Sequence, residues 1–224
     1  MGPKSRDLLQ ALSAADLSAD AAPWMSVAKI DIAGIPVTAL RVSYVGELGW
    51  ELHVASADLF ALYDAIWQEG VAHGICNFGS YALNAMRVEK GYHGWGADFG
   101  TEYTLFDAGL SKFANMTKGP FMGRRSVERQ AKSDPEWSCV GLEIADPGPE
   151  PLPTDPIVLE GRVIGYLTSV SMGYRTGKLL ALGYVEYGAL AMDQSCFVQA
   201  FGEMRAAVRH SHHVYDPENQ RLRS

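Results

Sequence analysis

The second half of the chain contains six short segments in which apolar and polar residues alternate, and this pattern constrains the fold more than any other feature. Glycine, proline and aspartate separate the segments, and none is followed by a helical pattern. Short strands at such close spacing are typical of a small barrel or sandwich. The segments read SCVGLEI, PIVLEG, RVIGYLTSVS, KLLALGYVEYG, SCFVQAFG and MRAAVRHSHHV. We predict a barrel or sandwich domain over residues 134–224.

The first part of the chain mixes two periodicities. Residues 27–45 alternate with period two, which predicts two paired strands, and a third strand is expected after the turn at Gly46–Gly49. Tyr44 should stand on the strand before that turn and Glu51 on the strand after it. An amphipathic helix around Leu8 should come first.

Helical spacing follows the third predicted strand. Residues 57–70 predict a helix with Ser56 as N-cap and an end at Gly70. Residues 80–91 predict a second helix, with Gly91 just past its end. A short polar helix is expected over residues 121–132. We therefore predict an α+β fold for residues 1–133, an antiparallel sheet with packed helices, joined to the barrel by a linker near residue 134.

Composition excludes several classes of protein. A formal net charge of −7 argues against a sequence-independent grip on nucleic acid, although a local basic site stays possible. The three cysteines share no short spacing, so neither a disulfide framework nor a zinc motif is indicated. The sequence has no long apolar run and no secretory signal pattern. We expect a cytoplasmic protein that does not bind a membrane.

The stretch YVGELGWELHV contains the first candidate site. Trp50, Leu52 and Val54 should point into the core, which turns Glu51 to the other face of its strand. A carboxylate held by a strand can accept two parallel hydrogen bonds from the N–H/NH2 edge of a pterin or guanine, and Tyr44 could line the same cavity. The alternative is a solvated strand glutamate opposite a core face, which is what most charged strand residues are.

The stretch RVEKGYHGWGADFG contains the second candidate site. Arg87 should lie in the last turn of a helix, and the loop after it carries Trp95 and Asp98 among glycines. Glycines allow close backbone approach, aromatic rings stack on flat ligands, and a guanidinium pairs with a carboxylate. A glycine-rich connector with core aromatics is the alternative.

Several long motifs in one order resemble the folate-binding aminomethyltransferase family. YVGELGWELHV is similar to the Y-x-G-E-x-G-x-E segment of glycine-cleavage T-proteins. RVEKGYHGWGADFG and the FMGRR that follows resemble the C-terminal halves of the sarcosine and dimethylglycine dehydrogenases, as do MGPKSRDLLQALSAADLS and VYDPENQRLRS. The resemblance therefore runs nearly from end to end. It implies the C-terminal part of the folate-binding α+β domain over residues 1–133 and a C-terminal β-barrel over residues 134–224.

The resemblance implies a tetrahydrofolate site formed by Glu51, Tyr44, Arg87 and Trp95, and one-carbon transfer to the folate. In the family, an acid near the reacting nitrogen comes from a G-G-x-x-D-D-like segment, which would lie before Gly2. The resemblance therefore implies a truncated chain, or one completed by a partner chain or a flavin subunit. The sequence has no dinucleotide fingerprint, so we expect no FAD on this chain.

The sequence is compatible with two main functions. The chain is either an aminomethyltransferase-like enzyme or a non-catalytic module that binds folate or another protein. An acid in the pterin pocket, such as Asp98, would favour catalysis, and a pocket without one would favour binding. A different methyl donor is a third possibility.

Two further groups of side chains, one of histidines and one of arginines, are not expected to form a functional site. His210, His212 and His213 could offer two imidazoles on one strand face, but no acidic or cysteine neighbour accompanies them, so we expect no metal site. The pairs Arg124–Arg125 and Arg221/Arg223 are expected to be solvated surface.

Overall fold

The computed structural model describes residues 1–145, 148–211 and 213–224. The helices are α1 (Ser5–Leu12), α2 (Leu59–His73), α3 (Ser80–Lys90), α4 (Arg124–Gln130) and α5 (Gln220–Arg223). The strands are β1 (Val27–Ile32), β2 (Ile35–Leu40), β3 (Glu51–His53), β4 (Trp137–Ile144), β5 (Pro156–Leu159), β6 (Arg162–Gly173), β7 (Lys178–Glu186), β8 (Ser195–Ala200) and β9 (Glu203–His210).

The chain forms two compact units. The first comprises Met1–Leu83 together with Asp216–Ser224, and the second comprises Asn84–Tyr215. Both the antiparallel sheet with helices and the C-terminal barrel are present, so the predicted fold class is confirmed. The domain boundary near residue 134 stays a prediction.

The first unit is a three-stranded antiparallel sheet covered on one face. β2 lies between β1 and β3, with Ala28 opposite Ala39 and Ala39 opposite Leu52. Alternate residues of the strands face α1 and α2, because successive side chains on a strand point to opposite sides. The core contains Leu8, Leu9, Leu17, Ile32, Val37, Ala39, Leu48, Trp50 and Leu62.

Three local predictions in the first unit are wrong. β2 ends at Leu40, so Tyr44 lies in the connection to β3 and not on a strand. α2 begins after a short 3-10 turn, and no side chain caps it, so Ser56 is not its N-cap. The helix passes Gly70 and ends at His73, and it is followed by Gly74, whose φ of 78° is left-handed. Gly70 serves packing instead, since a Cβ there would meet Ile75 at 2.7 Å.

The second unit contains the barrel. All six predicted strands are present, and they close in the order β4-β7-β6-β5-β8-β9, with β9 pairing back to β4. Closure leaves no unpaired edge among these strands. The interior is a continuous apolar cluster that includes Val140, Leu142, Ile157, Leu167 and Val198.

The two helices nearest the candidate loop differ in how well the sequence predicts them. α3 ends at Lys90, and Gly91 adopts the expected left-handed φ of 70°. α4 is shorter than the predicted 121–132, because the left-handed Gly123 precedes its first turn. Across the residues that the structure describes, no helix is both long and apolar enough to cross a membrane. A cytoplasmic location stays a prediction.

Candidate functional site

Glu51 lies on the open face of the first unit's sheet. It pairs with Leu40 across β2–β3, while the buried Trp50 and the half-buried Leu52 on either side of it face the core. Its side chain is 50% exposed, and the His53 Nε2 lies 3.6 Å from one of its carboxylate oxygens. The predicted outward direction of Glu51 is therefore correct, and its carboxylate is accessible.

Arg41 fixes the backbone immediately before Glu51. Its Nη1 donates to the Gly49 carbonyl at 3.2 Å, and its guanidinium lies 4.7 Å from the Trp50 ring centroid. The side chain is buried, and burial together with the nearby Arg6 lowers the pKa of Arg41 to about 10. A buried cation with hydrogen-bond partners rigidifies its surroundings. The position of Glu51 at the start of β3 is therefore well determined.

A hollow of about 450 Å³ opens on this sheet at His53, and Glu51 is not among the residues that line it. Residues of all three strands line it, among them Lys29, Thr38 and His53. His53 is two residues from Glu51 on the same strand, so both side chains project from the same face. His53 is not among the residues predicted from the sequence, although its alternation with Glu51 along the strand is a signal that identifies it.

Arg87 and Asp98 form a buried ion pair in the second unit. Arg87 Nη1 donates to Asp98 Oδ2, and the two side chains are only 6% and 0% exposed. Gly94 N–H donates to the same carboxylate at 2.7 Å, and the Thr168 hydroxyl donates to the other oxygen at 2.6 Å. Burial alone would raise the pKa of Asp98, but Arg87 and these hydrogen bonds outweigh it and hold the pKa below its ordinary value.

The Arg87 guanidinium is fully engaged. Nε and Nη2 donate to Asn84 Oδ1 at 3.0 and 2.7 Å, Nη2 also donates to Ser169 Oγ, and Nη1 donates to the Tyr92 carbonyl as well as to Asp98. A guanidinium has five N–H donors. All five are therefore used within this unit, so the geometry gives Arg87 a structural task, to hold the loop after α3.

A β-bulge brings two strand residues to this ion pair. The β6–β7 register shifts between Leu167 and Ser169, which leaves Thr168 without a partner on β7. Adjacent strand residues normally face opposite ways, and a bulge re-aims them. Thr168 and Ser169 can therefore both reach the pair. Nothing in their local sequence indicated this role.

Trp95 is presented at the tip of the loop that Arg87 and Asp98 hold. Its indole is 71% exposed and packs edge-on against Phe99, with ring centroids 5.3 Å apart. The Gly96 N–H donates to the Phe99 carbonyl at 2.8 Å, which closes the turn beneath the ring. The ring is supported from behind and open in front, a suitable arrangement for stacking.

Glu89 and Lys90, the last two residues of the R-x-E-K motif at 87–90, form hydrogen bonds with the backbone of distant segments. Glu89 accepts from the Arg175 and Thr176 N–H groups at 2.8 and 2.9 Å and pairs with the Arg175 side chain at 2.6 Å. Buried Lys90 donates to the Tyr215 carbonyl at 3.3 Å. These polar side chains fix the β6–β7 turn and the segment around Tyr215 to α3. These contacts are not among those predicted from the sequence.

His93 and Cys139 form a neutral pair under the same loop. His93 Nε2 lies 3.3 Å from Cys139 Sγ. Burial lowers the pKa of His93 and raises the pKa of Cys139 to about 12. Because the thiolate is the nucleophilic form, Cys139 is a packing residue and not a reactive one.

The four predicted site residues divide evenly between the units. Glu51 and the half-buried Tyr44 belong to the first unit, and Arg87 and Trp95 belong to the second. Their membership of one folate site stays a prediction. His210 ends β9, and His212 lies outside the described residues. Within the described part of the chain, no group of three or more His, Cys, Asp or Glu could hold a metal ion.

Comparison with known proteins identifies related chains. The chain is 36% identical over 208 residues to human mitochondrial dimethylglycine dehydrogenase, covering 92% of this chain and 24% of that protein. It is 33% identical over 189 residues to an aminomethyltransferase of Streptomyces avermitilis, covering 83% and 50%. It thus spans from about a quarter to half the length of these relatives.

A solved structure and two family models also match this chain. The glycine cleavage aminomethyltransferase T of Bartonella henselae superposes with a TM-score of 0.71 at 23% identity, covering 78% of this chain and 48% of that one, and shows the same fold. The GCVT N-terminal domain matches residues 1–118, and the glycine cleavage T-protein C-terminal barrel domain matches residues 138–216. The chain belongs to the glycine cleavage T-protein family.

Proposed function

We propose that this chain holds tetrahydrofolate for one-carbon transfer, as part of an aminomethyltransferase-like enzyme. The observation that carries the proposal is the accessible, strand-held carboxylate of Glu51, in a chain of this family. When bound, tetrahydrofolate supplies the nitrogen that accepts the one-carbon unit.

Glu51 is suited to hold the pterin by its edge. Both carboxylate oxygens can accept from an adjacent N–H and NH2, and such charge-assisted bidentate pairs are directional as well as strong. β3 and Arg41 fix the carboxylate before the ligand arrives, which reduces the entropy lost on binding. Tyr44 is assigned to line the same cavity, and Trp95 to stack on a flat part of the ligand. Arg87 is assigned a positioning role through the loop that carries Trp95.

Calorimetry with tetrahydrofolate tests the role of Glu51. Glu51→Gln removes the charge and one acceptor, so binding should weaken by about 1–3 kcal/mol. Glu47→Gln is the matched control, because it makes the same change four residues away in the same motif, and it should keep wild-type affinity. Equal affinity of wild type and Glu51→Gln would remove Glu51 from the site.

A non-catalytic folate-binding module is the second candidate, and the state of Asp98 favours it. A catalytic acid must reach the reacting nitrogen, and loss of such a group costs about 10²–10⁴ in rate. Asp98 is fully buried and both its oxygens accept hydrogen bonds within the second unit, so it is not free for proton transfer. Folate binding without formation of methylenetetrahydrofolate would support this candidate.

A partner chain would reconcile the two candidates. The open sheet face that carries Glu51, and the coverage of half or less of each relative, support a site completed by further polypeptide. The test is to measure folate-dependent capture of the one-carbon unit after adding a flavoprotein that oxidises N-methylated glycines. Activity only in the mixture supports the partner-completed enzyme. No activity, with folate still bound, leaves the binding module as the function.

A further inference from the structure

Residues 112–132, here called the basic strip, concentrate positive charge in an acidic chain. The strip contains six of the chain's 19 Lys and Arg residues but only one acidic residue, Glu128, whereas the whole chain has a net charge of −7. Its cations are Lys112, Lys118, Arg124, Arg125, Arg129 and Lys132. A local positive field of this kind selects negatively charged partners and accelerates their encounter.

Phenylalanine rings and hydrogen bonds hold several of these cations in place. Lys118 Nζ and the Arg124 guanidinium lie 4.6 and 6.0 Å from the centroid of the Phe121 ring. Arg124 also donates to the Lys118 carbonyl at 2.7 Å and to Glu128 at 2.8 Å. Lys112 lies over the Phe113 ring in the same way. Side chains that are already ordered lose less entropy when a partner binds.

The strip also exposes apolar side chains next to its charges. Phe113 is 71% exposed, and Met122 is fully exposed. A hollow of about 290 Å³ within the strip is lined by Phe121, Arg124 and Arg125, among others. Phenylalanine, methionine and arginine are enriched in the buried centres of protein–protein interfaces. This combination is typical of a docking surface and differs from an ordinary solvated face.

We infer that the basic strip docks a folded protein that presents a small cluster of carboxylates around an apolar side chain. The exposed apolar side chains decide the class of partner. Phe113 and Met122 suit the apolar centre of a protein–protein interface, whereas a phosphate backbone offers them no apolar partner. The net charge of −7 also disfavours non-specific binding to a polyanion or to an anionic membrane. Arg124 and Arg125, expected to be plain surface, gain a role.

The test compares a strip variant with a charge-matched control. Arg125→Glu with Lys132→Glu reverses two exposed cations of the strip. Arg162→Glu with Lys178→Glu reverses two exposed cations of the barrel that pair with Glu186 and Glu143. Circular dichroism checks that both variants are folded. The probe is a fluorescent, small folded carrier protein that displays a cluster of glutamate and aspartate around one leucine, titrated at low and at physiological salt.

The strip variant should bind this probe at least about tenfold more weakly than wild type, while the control keeps wild-type affinity. Absence of wild-type binding, or an equal loss in both variants, would overturn the inference. So would equally tight, strip-dependent binding to phosphatidylserine vesicles or single-stranded DNA, because the strip would then recognise any polyanion. Self-association of the wild type that the strip variant abolishes would assign the strip to a second copy of this chain.

Discussion

Replacing Asp98 by asparagine should destabilise the second unit far more than the loss of an exposed ion pair. Asparagine keeps the shape of the side chain, but Arg87 is then buried without a counter-charge, since its side chain is only 6% exposed. Removing one partner of a buried pair costs about 3–5 kcal/mol. The loop that carries Trp95 should loosen with it.

Arg162→Gln provides the control for this measurement. It removes an Arg–carboxylate pair of similar geometry in the same unit, but Arg162 and Glu186 are 60% and 48% exposed. The expected cost is therefore about 0–1 kcal/mol. Urea denaturation followed by far-UV circular dichroism and tryptophan fluorescence gives both values. Because the chain has two compact units, a separate transition of the second unit should be fitted by itself.

A double-mutant cycle extends the test. Arg87→Gln alone leaves Asp98 buried without its cation, and Arg87→Gln with Asp98→Asn leaves neither charge. If the two act as a pair, the double variant should lose clearly less stability than the sum of the single variants. The reasoning is refuted if Asp98→Asn costs no more than Arg162→Gln, or if the single effects simply add.

Three further predictions concern pH, packing and reactivity. The pKa of Asp98 is lower in the folded protein than its ordinary value, so ionised Asp98 stabilises the fold at pH values above the ordinary carboxyl pKa. This stabilisation is lost as the pH falls through the lower pKa of the folded protein. Asp98→Asn should therefore make the free energy of unfolding less dependent on pH in that acidic range. Gly165→Ala should prevent closure of β6 on β7, because its Cβ would lie 1.9 Å from the Tyr184 carbonyl oxygen, and the soluble yield of folded protein should fall sharply. Iodoacetamide should label the exposed Cys76 and spare the buried Cys139, whose pKa is raised to about 12, as mass spectrometry of the native protein would show.

The local pattern of the sequence determined the elements and the outward direction of Glu51. Period-two alternation identified all six barrel strands, because each has one face in a continuous apolar interior. The same alternation turned Glu51 away from Trp50 and Leu52. Gly91 marked the end of α3, because the left-handed backbone that follows a helix favours glycine.

Local signals failed where several residues compete for one role. Two glycines, Gly70 and Gly74, lie near the end of α2, and only the fold decided that the first is needed for contact with Ile75 and the second for the turn. Tyr44 lies in a region of alternating apolar residues that does not form a strand. In both cases tertiary packing overrides the local preference.

The tertiary structure alone decided what the charged residues of α3 do. The sequence placed Arg87, Glu89 and Lys90 near the end of a helix, but it gave no sign that all three are buried. Their partners include Asp98, Ser169 and Arg175, which come from a loop, a bulged strand and a hairpin turn that are far apart in the chain. The energy of a buried charge depends on partners that only the folded chain brings within hydrogen-bonding distance, and local sequence contains no information on that distance.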